Sequence, residues 1–303
     1  MSLSVKQITD IGTKQLEAKG IMDARRDSES LYCYMVGVPR SKLFAEFQYT
    51  LQEVLCDKYF ELIERRASGE PLQYIVGNTE FMGLPFLVEP GVLIPRQDTE
   101  SLVEDALEVM SNGTLRRMPA SDLRKSWDVL DLCTGSGAIG ISLAKLAPEL
   151  GLKVNVTMTD ISGDALAIAK KNAKINDVEK MVKLVEGDLF EPLGGVLGAK
   201  KFDLVVSNPP YIPTKIIGKL QREIKEHEPL IALDGGEDGL EIYRRIGESV
   251  GKHLKKDGIL MMEIGNDQRM PVTEILNNTG VFPDIRCHQD YARNDRVIFA
   301  AKQ

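Results

Sequence analysis

The apolar residues of the first 75 positions recur at helical spacing. Val5, Ile8 and Ile11 form one such stripe, and similar short stripes follow it. Residues 50–53 read Thr-Leu-Gln-Glu, a capping box that predicts the start of a longer helix. We therefore expect residues 1–75 to form a small helical bundle.

The pattern then changes to short β-like runs. Residues 74–77 and 80–88 are such runs, and a Gly-Leu-Pro turn lies within this stretch. They predict a β-hairpin that links two domains over residues 76–95. After it, Asp98 or Thr99 is expected to cap the next helix with its side chain.

Beyond Trp127, apolar runs with strand character alternate with amphipathic helical stretches, which is typical of a doubly wound α/β sheet. The predicted strands are 127–133, 154–160, 182–188, 202–208, 258–265, 284–290 and 296–302. Only residues 291–295 separate the last two strands, too few for a parallel crossover. We therefore predict a seven-stranded sheet in a domain of residues 96–303, with the last strand antiparallel.

Composition and charge narrow the classes of protein. The 303 residues include 43% hydrophobic ones and carry a net charge of −7, and the first 75 residues hold 10 Lys+Arg against 11 Asp+Glu. A protein that grips a phosphate backbone usually has a basic excess, so nucleic acid is not expected as a partner. No apolar run approaches the roughly 20 residues of a membrane span, and no leader pattern precedes the first helix.

The four cysteines show no C-x-x-C spacing, so neither a zinc site nor a disulfide framework is indicated. A reducing environment suits them. We expect a soluble cytoplasmic protein without a metal centre and without a membrane partner.

A glycine-rich turn follows the first strand of the predicted sheet. Gly135, Gly137 and Gly140 have the spacing of a dinucleotide fingerprint, and Asp160 ends the second strand 20 residues later. That carboxylate can accept both hydroxyl groups of a ribose. At this point the pattern fits either a nicotinamide dinucleotide or S-adenosylmethionine.

Two more carboxylates favour S-adenosylmethionine. Asp131 lies four residues before the first glycine, where it would crowd a pyrophosphate but can order a loop that faces a cationic sulfonium. Asp188 ends the third strand, placed to accept from an adenine amino group, with Leu189 beside the ring.

The fourth strand runs directly into Asn208-Pro209-Pro210-Tyr211. Proline has no N–H and pushes Asn208 towards an extended conformation, so the corner is rich in acceptors. The Asn208 side-chain oxygen and the Pro209 carbonyl can accept the two hydrogens of a planar –NH2 group, and Tyr211 offers a flat ring. We interpret the corner as a seat for an amino or amide nitrogen.

In combination these motifs resemble the HemK/PrmC family, the peptide chain release factor glutamine N5-methyltransferases. The resemblance covers nearly the whole chain, including residues 69–75 at the domain junction. The motifs that carry it are Leu93-Ile94-Pro95-Arg96, Asp131-x-x-Thr134-Gly135-Ser136-Gly137, Asn208-Pro209-Pro210-Tyr211-Ile212-Pro213 and Glu228-Pro229-x-x-Ala232-Leu233-x-Gly235-Gly236-x-Asp238-Gly239. One departure is Cys133, which stands where the family usually has another glycine, so its φ is less free.

The resemblance implies methyl transfer from S-adenosyl-L-methionine to the glutamine N5 of the Gly-Gly-Gln motif in class I peptide chain release factors. The implied catalytic residues are Asn208, Pro209, Pro210 and Tyr211, with Tyr211 packing the glutamine stem. The candidate cofactor-binding residues are Arg96, Cys133, Thr134, Gly135, Ser136, Gly137, Asp160, Asp188, Leu189 and Asn208. The corner contains no strong base, so positioning must supply much of the rate.

Three other functions were weighed against this one. An adenine-N6 nucleic-acid methyltransferase shares Asn-Pro-Pro-Tyr but does not explain the acidic balance or the helical domain. A nicotinamide-dependent dehydrogenase explains the glycines alone. A non-enzymatic binding module has little use for an acceptor-lined corner beside a cofactor edge.

Finally, the stretch of residues 209–239 is too long for a plain connection and is expected to act as a lid or substrate-binding loop.

Overall fold

The computed structural model describes residues 2–112, 124–194 and 200–303. The chain divides into two compact units. Unit 1 contains the residues up to Asn78 together with Gln221–His227, and unit 2 contains Thr79–Leu220 and Glu228–Gln303. One segment of the loop that follows Asn-Pro-Pro-Tyr thus belongs to unit 1, while the rest of the loop belongs to unit 2.

Unit 1 is helical, as the apolar stripes predict. Its helices up to Asn78 are α1 (Val5–Glu17), α2 (Ala24–Val36), α3 (Leu43–Glu46), α4 (Glu53–Ala67) and α5 (Leu72–Val76). They pack around buried Ile8, Leu31 and Tyr59. The Tyr59 hydroxyl shares a 2.7 Å hydrogen bond with Ser28 in this core, so this buried phenol group has a partner.

The segment Gln221–His227 is held in unit 1 by a buried guanidinium. Arg66 forms ion pairs of 2.7 Å with Asp27 and of 2.7 Å with Glu223. Because Arg66 and Asp27 are both buried, their pair is shielded from solvent and holds the guanidinium in place. The second pair, to Glu223, attaches the segment to the bundle.

Unit 2 contains a hairpin, helices and a sheet. Its elements are β1 (Asn78–Phe81, beginning one residue before the unit), β2 (Leu84–Leu87), α6 (Glu100–Ser111), β3 (Ser126–Leu132), α7 (Ala138–Leu146), β4 (Lys153–Asp160), α8 (Gly163–Ile175), β5 (Val182–Glu186), β6 (Phe202–Ser207), α9 (Thr214–Ile217), α11 (Glu241–His253), β7 (Leu254–Glu263), α12 (Arg269–Asn278), β8 (Asp284–Gln289) and β9 (Asp295–Ala301). Helix α10 (Arg222–His227) lies between α9 and α11 along the chain but belongs to unit 1.

Within the described residues, seven strands form one sheet in the order β5-β4-β3-β6-β7-β9-β8. Neighbours are parallel from β5 to β7, whereas β9 runs antiparallel to both β7 and β8. The predicted doubly wound seven-stranded sheet with an antiparallel last strand is therefore confirmed.

Alternate side chains of each central strand enter different cores. On β3, Val129 belongs to one apolar cluster and Leu130 to the other, and on β6 Leu204 and Val205 separate in the same way. Period-two alternation sends neighbouring side chains to opposite faces. Since both faces are covered, the strands read as continuous apolar runs in the sequence.

The hairpin packs onto the sheet through two rings. Phe81 and Phe86 are buried in the apolar cluster that contains Val129, and their rings meet edge to face with centroids 6.0 Å apart. Asn172 of α8 binds both backbone groups of Leu87, at 2.7 Å to its N–H and 3.0 Å to its carbonyl. Asn172 also donates to the Ser136 carbonyl at 2.9 Å, so it ties the hairpin to the glycine-rich turn.

Three local predictions are wrong. Thr50 does not cap α4, because its backbone instead forms a bridge with Ser4, whose own side chain forms a capping box with Gln7 at the start of α1. Residues 74–77 are not a strand, since Leu72–Val76 is a helical turn that begins after Pro71 and ends at Gly77 in the left-handed region. Neither Asp98 nor Thr99 caps α6 with its side chain.

No helix among the described residues has the length and apolar character required to cross a membrane.

Candidate active site

A cavity of about 610 Å³ opens at the carboxyl ends of the parallel strands of unit 2. In the strand order, β4 and β5 lie on one side of β3, and β6 and β7 lie on the other. Open α/β sheets bind ligands at this point of reversal. The predicted site residues that line the cavity are Arg96, Cys133, Thr134, Gly135, Ser136, Asp160, Asp188, Leu189, Asn208 and Pro210. Gly137, Pro209 and Tyr211 are not among the lining residues.

Asp131 holds the glycine-rich turn from behind. One of its carboxylate oxygens accepts from the Thr134 hydroxyl at 2.5 Å and from the Gly140 N–H at 2.9 Å. Complete burial raises the pKa of this carboxyl to about 7. Asp131 therefore orders the loop, as its position in the sequence indicates, without itself lining the cavity.

Gly137 is required by the backbone at the start of α7. Its φ is +86°, and a Cβ placed there would lie 2.6 Å from Ile141 Cδ1 and 2.9 Å from Met158 Cε. A side chain would thus be both strained and obstructed. Gly137 shapes the turn from inside.

Cys133 occupies a left-handed conformation, with φ of +57°. Glycine adopts this region freely, whereas other residues do so at a cost. The thiol is surrounded by apolar atoms and carboxylates, and burial raises its pKa above the ordinary range. The residue that departs from the family pattern therefore has a strained backbone, and burial favours the neutral form of its thiol.

Asp160 lies at the end of β4 with its carboxylate in the cavity wall. One oxygen accepts from the Gly135 N–H at 2.8 Å and the other from the Ser162 N–H at 2.9 Å. Burial raises the pKa of this carboxyl, and the backbone N–H groups oppose that rise. A carboxylate has about four lone-pair sites, so acceptor capacity remains for a ligand hydroxyl.

Asp188 and Leu189 follow β5 and also line the cavity. Asp188 forms a 2.7 Å ion pair with Arg245 of α11, a partner that sequence reasoning missed. Leu189 is buried and has a φ of +47°. A second non-glycine residue in the left-handed region thus borders the cavity.

The Asn208 side chain is oriented by a buried hydroxyl. Its Nδ2 donates to Thr99 Oγ1 at 3.1 Å, so the amino group is engaged and the remaining polar atom of the amide is the acceptor Oδ1. Pro210 lines the cavity beside it. Asn208, which carries the acceptor expected from the sequence, thus lines the cavity with its amino group engaged.

Tyr211 faces the protein interior. Its ring packs against the apolar cluster that contains Leu130, and its hydroxyl donates to Glu263 Oε1 at 3.2 Å. Its carbonyl accepts from Gln268 Nε2 at 3.0 Å, and the same nitrogen donates to the Gly239 carbonyl at 3.2 Å. Tyr211 thus anchors the corner, and the structure does not place its ring in the cavity.

Two glycines near the end of residues 209–239 fix the same corner. A Cβ on Gly235 would lie 2.7 Å from the Tyr211 Cα, and a Cβ on Gly239 would lie 2.4 Å from the Tyr211 carbonyl oxygen. Both glycines therefore permit close approach of two backbone segments. Arg96 pairs with buried Glu228 where the loop returns to unit 2.

Comparison with known proteins then places the chain. Residues 7–77 match the PrmC N-terminal domain, and residues 104–224 match the methyltransferase small domain. A release factor glutamine methyltransferase of Clostridium acetobutylicum is 43% identical over 91% of this chain and 90% of its own. One of Geobacter sulfurreducens is 41% identical over 97% of this chain and 95% of its own.

The chain belongs to the release factor glutamine methyltransferase family. The resemblance drawn from the sequence motifs is thereby confirmed. The glycine-rich turn is that of a methyltransferase and not of a nicotinamide-dependent dehydrogenase. A methyltransferase of known structure from Pyrococcus furiosus has the same fold, with a TM-score of 0.50 at 16% identity, covering 81% of this chain and 98% of that one. At that identity the likeness concerns the fold alone.

Several residues of this methyltransferase site were not found from the sequence. Thr99, Arg245, Glu263 and Gln268 each contact a predicted site residue from a distant part of the chain. Glu263 had a visible signal, because a carboxylate ends the apolar run of β7 at the ligand-binding edge.

Proposed function

We propose that this methyltransferase transfers a methyl group from S-adenosyl-L-methionine to the side-chain nitrogen N5 of the glutamine in the Gly-Gly-Gln motif of class I peptide chain release factors. The observation that carries the proposal is the orientation of Asn208. Its amino group is held by Thr99, so the cavity receives an acceptor, which is what an incoming –NH2 group requires.

The residues present fit S-adenosylmethionine. A volume of about 610 Å³ lies in the usual range for small-molecule sites. The wall combines the Asp160 carboxylate for ribose hydroxyls, Asp188 with Leu189 for the adenine, and the turn at Thr134–Ser136 for the amino-acid part. Arg96 is a further candidate to bind the cofactor carboxylate. When bound, the cofactor supplies an electrophilic methyl group on a positively charged sulfur.

The chain contributes position and polarity. Asn208 Oδ1 accepts one N–H of the substrate amide. The Pro209 carbonyl remains the acceptor predicted for the other, although Pro209 does not line the cavity. Such hydrogen bonds strengthen as positive charge develops on nitrogen. An amide nitrogen is a poor nucleophile, so fixing its direction is the main contribution available in a corner without a base. Neither acceptor takes the proton permanently, and it leaves to water.

Unit 1 is proposed to dock the body of the release factor. Its exposed surface includes large apolar side chains, among them Phe44, Tyr49 and Val54, which are 68%, 65% and 63% exposed. Aromatic residues are enriched where proteins bind proteins. The net charge of −7 argues against nucleic acid as the docked partner.

The four free cysteines fit the reducing cytoplasm in which we place the protein.

The experiment is a methylation assay with labelled S-adenosylmethionine. A class I release factor, the same factor with its Gly-Gly-Gln glutamine changed to alanine, and duplex DNA are compared as substrates. We expect one methyl group on the intact factor, located by mass spectrometry on the glutamine side chain. Label on DNA adenine, or equal label on the altered factor, would overturn the proposal.

A further inference from the structure

We propose that Thr99 is a positioning residue, and that Thr99 and Glu263 together set which end of the Asn208 side-chain amide faces the substrate. The inference rests on the proposed function, since it assumes that Asn208 accepts from the substrate nitrogen. Neither residue belongs to the Asn-Pro-Pro-Tyr motif, and Thr99 was expected from the sequence only as a helix cap.

The need for a positioning group follows from the shape of an amide. The oxygen and the amino group of asparagine are nearly equal in size, so packing alone does not distinguish the two orientations. In the flipped orientation Asn208 would point an –NH2 group at the substrate –NH2 group. Two donors would then face each other, and the substrate nitrogen would lose its acceptor.

Thr99 makes the distinction by hydrogen bonding. It lies just before α6, is only 4% exposed, and receives the Asn208 Nδ2 hydrogen bond at 3.1 Å. A hydroxyl has one hydrogen and two lone pairs. It can therefore accept from Asn208 or donate to it, and its own remaining partner decides which.

That partner is Glu263. Met262 pairs with Ser207 in the sheet, so Glu263, which ends β7, and Asn208, which follows β6, lie at the same edge. The Glu263 side chain is 1% exposed, and its Oε2 is buried without a hydrogen-bond partner among the described residues. The nearby Thr99 hydroxyl opposes the rise of the Glu263 pKa that burial causes. A hydroxyl hydrogen rotates towards an open acceptor of this kind. With its hydrogen turned to Glu263 Oε2, Thr99 has only lone pairs left for Asn208.

Glu263 is suited to this task because other groups fix it. The Tyr211 hydroxyl donates to Glu263 Oε1 at 3.2 Å, and the Tyr243 hydroxyl donates to the Glu263 carbonyl at 2.9 Å. The positive charge of Arg296 favours the ionised form. One buried carboxylate thus fixes Tyr211 directly and Asn208 through Thr99.

The first test removes the hydroxyl without changing the shape. For Thr99→Val we expect kcat on the release factor to fall about 10- to 100-fold, the range expected for a misaimed reacting group. The KM for the factor and the Kd for S-adenosylmethionine from calorimetry should stay within about threefold. Thr99→Ser keeps the hydroxyl and should restore most of the rate. Thr157→Val makes the same change at a buried site on β4 and serves as the control.

The second test reverses the polarity of the pair. In Glu263→Gln the new –NH2 group can donate to Thr99, whose hydrogen is then free to donate to Asn208 and favour the flipped amide. We expect a loss of kcat similar to that of Thr99→Val. The glutamine keeps a side-chain oxygen that can accept from the Tyr211 hydroxyl, so both changes act through Asn208. The double variant should therefore be little slower than either single one, whereas independent effects would multiply.

The outcomes separate the two proposals. If the wild type does not methylate the glutamine, the proposed function is wrong and this inference falls with it. If the wild type methylates it and Thr99→Val keeps the full kcat, or Thr99→Ser is as slow as Thr99→Val, only the positioning role is wrong. Multiplying losses in the double variant would also overturn it. Should Thr99→Val fail to fold, as judged by S-adenosylmethionine binding, Glu263→Gln decides the question alone.

Discussion

The two units differ in where they put their apolar and polar groups. In unit 2 the polar groups that can do chemistry line a cavity, and each is held by a second group, as Asp160 is by backbone N–H groups and Asn208 by Thr99. In unit 1 the buried polar groups hold helices together, and aromatic side chains such as Phe44 and Tyr49 remain on the surface. The difference supports the proposed division of roles, in which unit 2 performs the transfer and unit 1 docks the protein that carries the glutamine.

The largest effect is expected from Asn208→Ala, which removes the acceptor that aims the substrate nitrogen. Losing one preorganised polar contact at a reacting centre lowers the rate by about 10²–10³. Single-turnover methylation of a release factor measures it, and S-adenosylmethionine affinity should change far less.

Asn155→Ala, at an exposed position of β4, is the matched control for Asn208→Ala. A near-normal rate for Asn208→Ala would contradict the chemical role assigned to the Asn-Pro-Pro-Tyr corner. It would thereby remove the chemical side of the contrast between unit 2 and unit 1.

Asp160→Ala should act on the cofactor and not on the protein substrate. Hydrogen bonds to a charged acceptor contribute about 1.5–3 kcal/mol, so S-adenosylmethionine affinity is expected to fall by that amount in calorimetry. Asp164→Ala, an exposed carboxylate in the first turn of α8, should leave it unchanged. An unaltered Kd for Asp160→Ala, or binding of NADH by the wild type, would contradict the cofactor assignment.

A double change, Phe44→Ser with Tyr49→Ser, should affect only docking. We expect the KM for an intact release factor to rise about tenfold, or 1.4 kcal/mol, because exposed aromatic residues are frequent binding hot spots. The KM for a short Gly-Gly-Gln peptide should not change.

Ile175→Ser alters an exposed apolar residue of unit 2 and is the control for this docking test. Equal KM changes for peptide and intact factor would show that unit 1 does not dock the substrate.

The smallest effect concerns the strained turn. Cys133→Gly relieves the left-handed backbone but loosens the unfolded chain, so the free energy of unfolding should stay within about 1 kcal/mol of the wild type. Cys133→Val places a β-branched residue at the same φ and should be about 1 kcal/mol less stable. Urea unfolding compares the two, and a more stable Val variant would refute the assignment of strain at this position.

The parts of the molecule that local pattern dictates were predictable. A buried apolar run such as Phe202–Ser207, or a glycine turn such as Gly135–Gly137, carries its own signal within a few residues. Residues 74–77 show the limit, because four residues do not distinguish a helical turn from a short strand. The decisive feature there was the left-handed Gly77.

The contacts that hold the site could not be predicted in the same way. Thr99 meets Asn208 across 109 positions, and Glu263 meets Tyr211 across 52. Such pairs depend on which strands become neighbours and in what register. A single sequence shows that an acceptor is present in Asn208, but not which group turns it towards the substrate.

The position of β9 in the sheet has a consequence for synthesis. Asp295–Ala301 pairs with β7 on one side and with β8 on the other, although it is made after both. During translation β7 therefore keeps an open edge, and β8 lacks a partner in the sheet, until residues 295–301 have left the ribosome. Unpaired strand edges invite pairing with other chains. A chain that stops just before Asp295 lacks an interior strand of the sheet, so we expect it to aggregate unless chaperones cover the β7 edge.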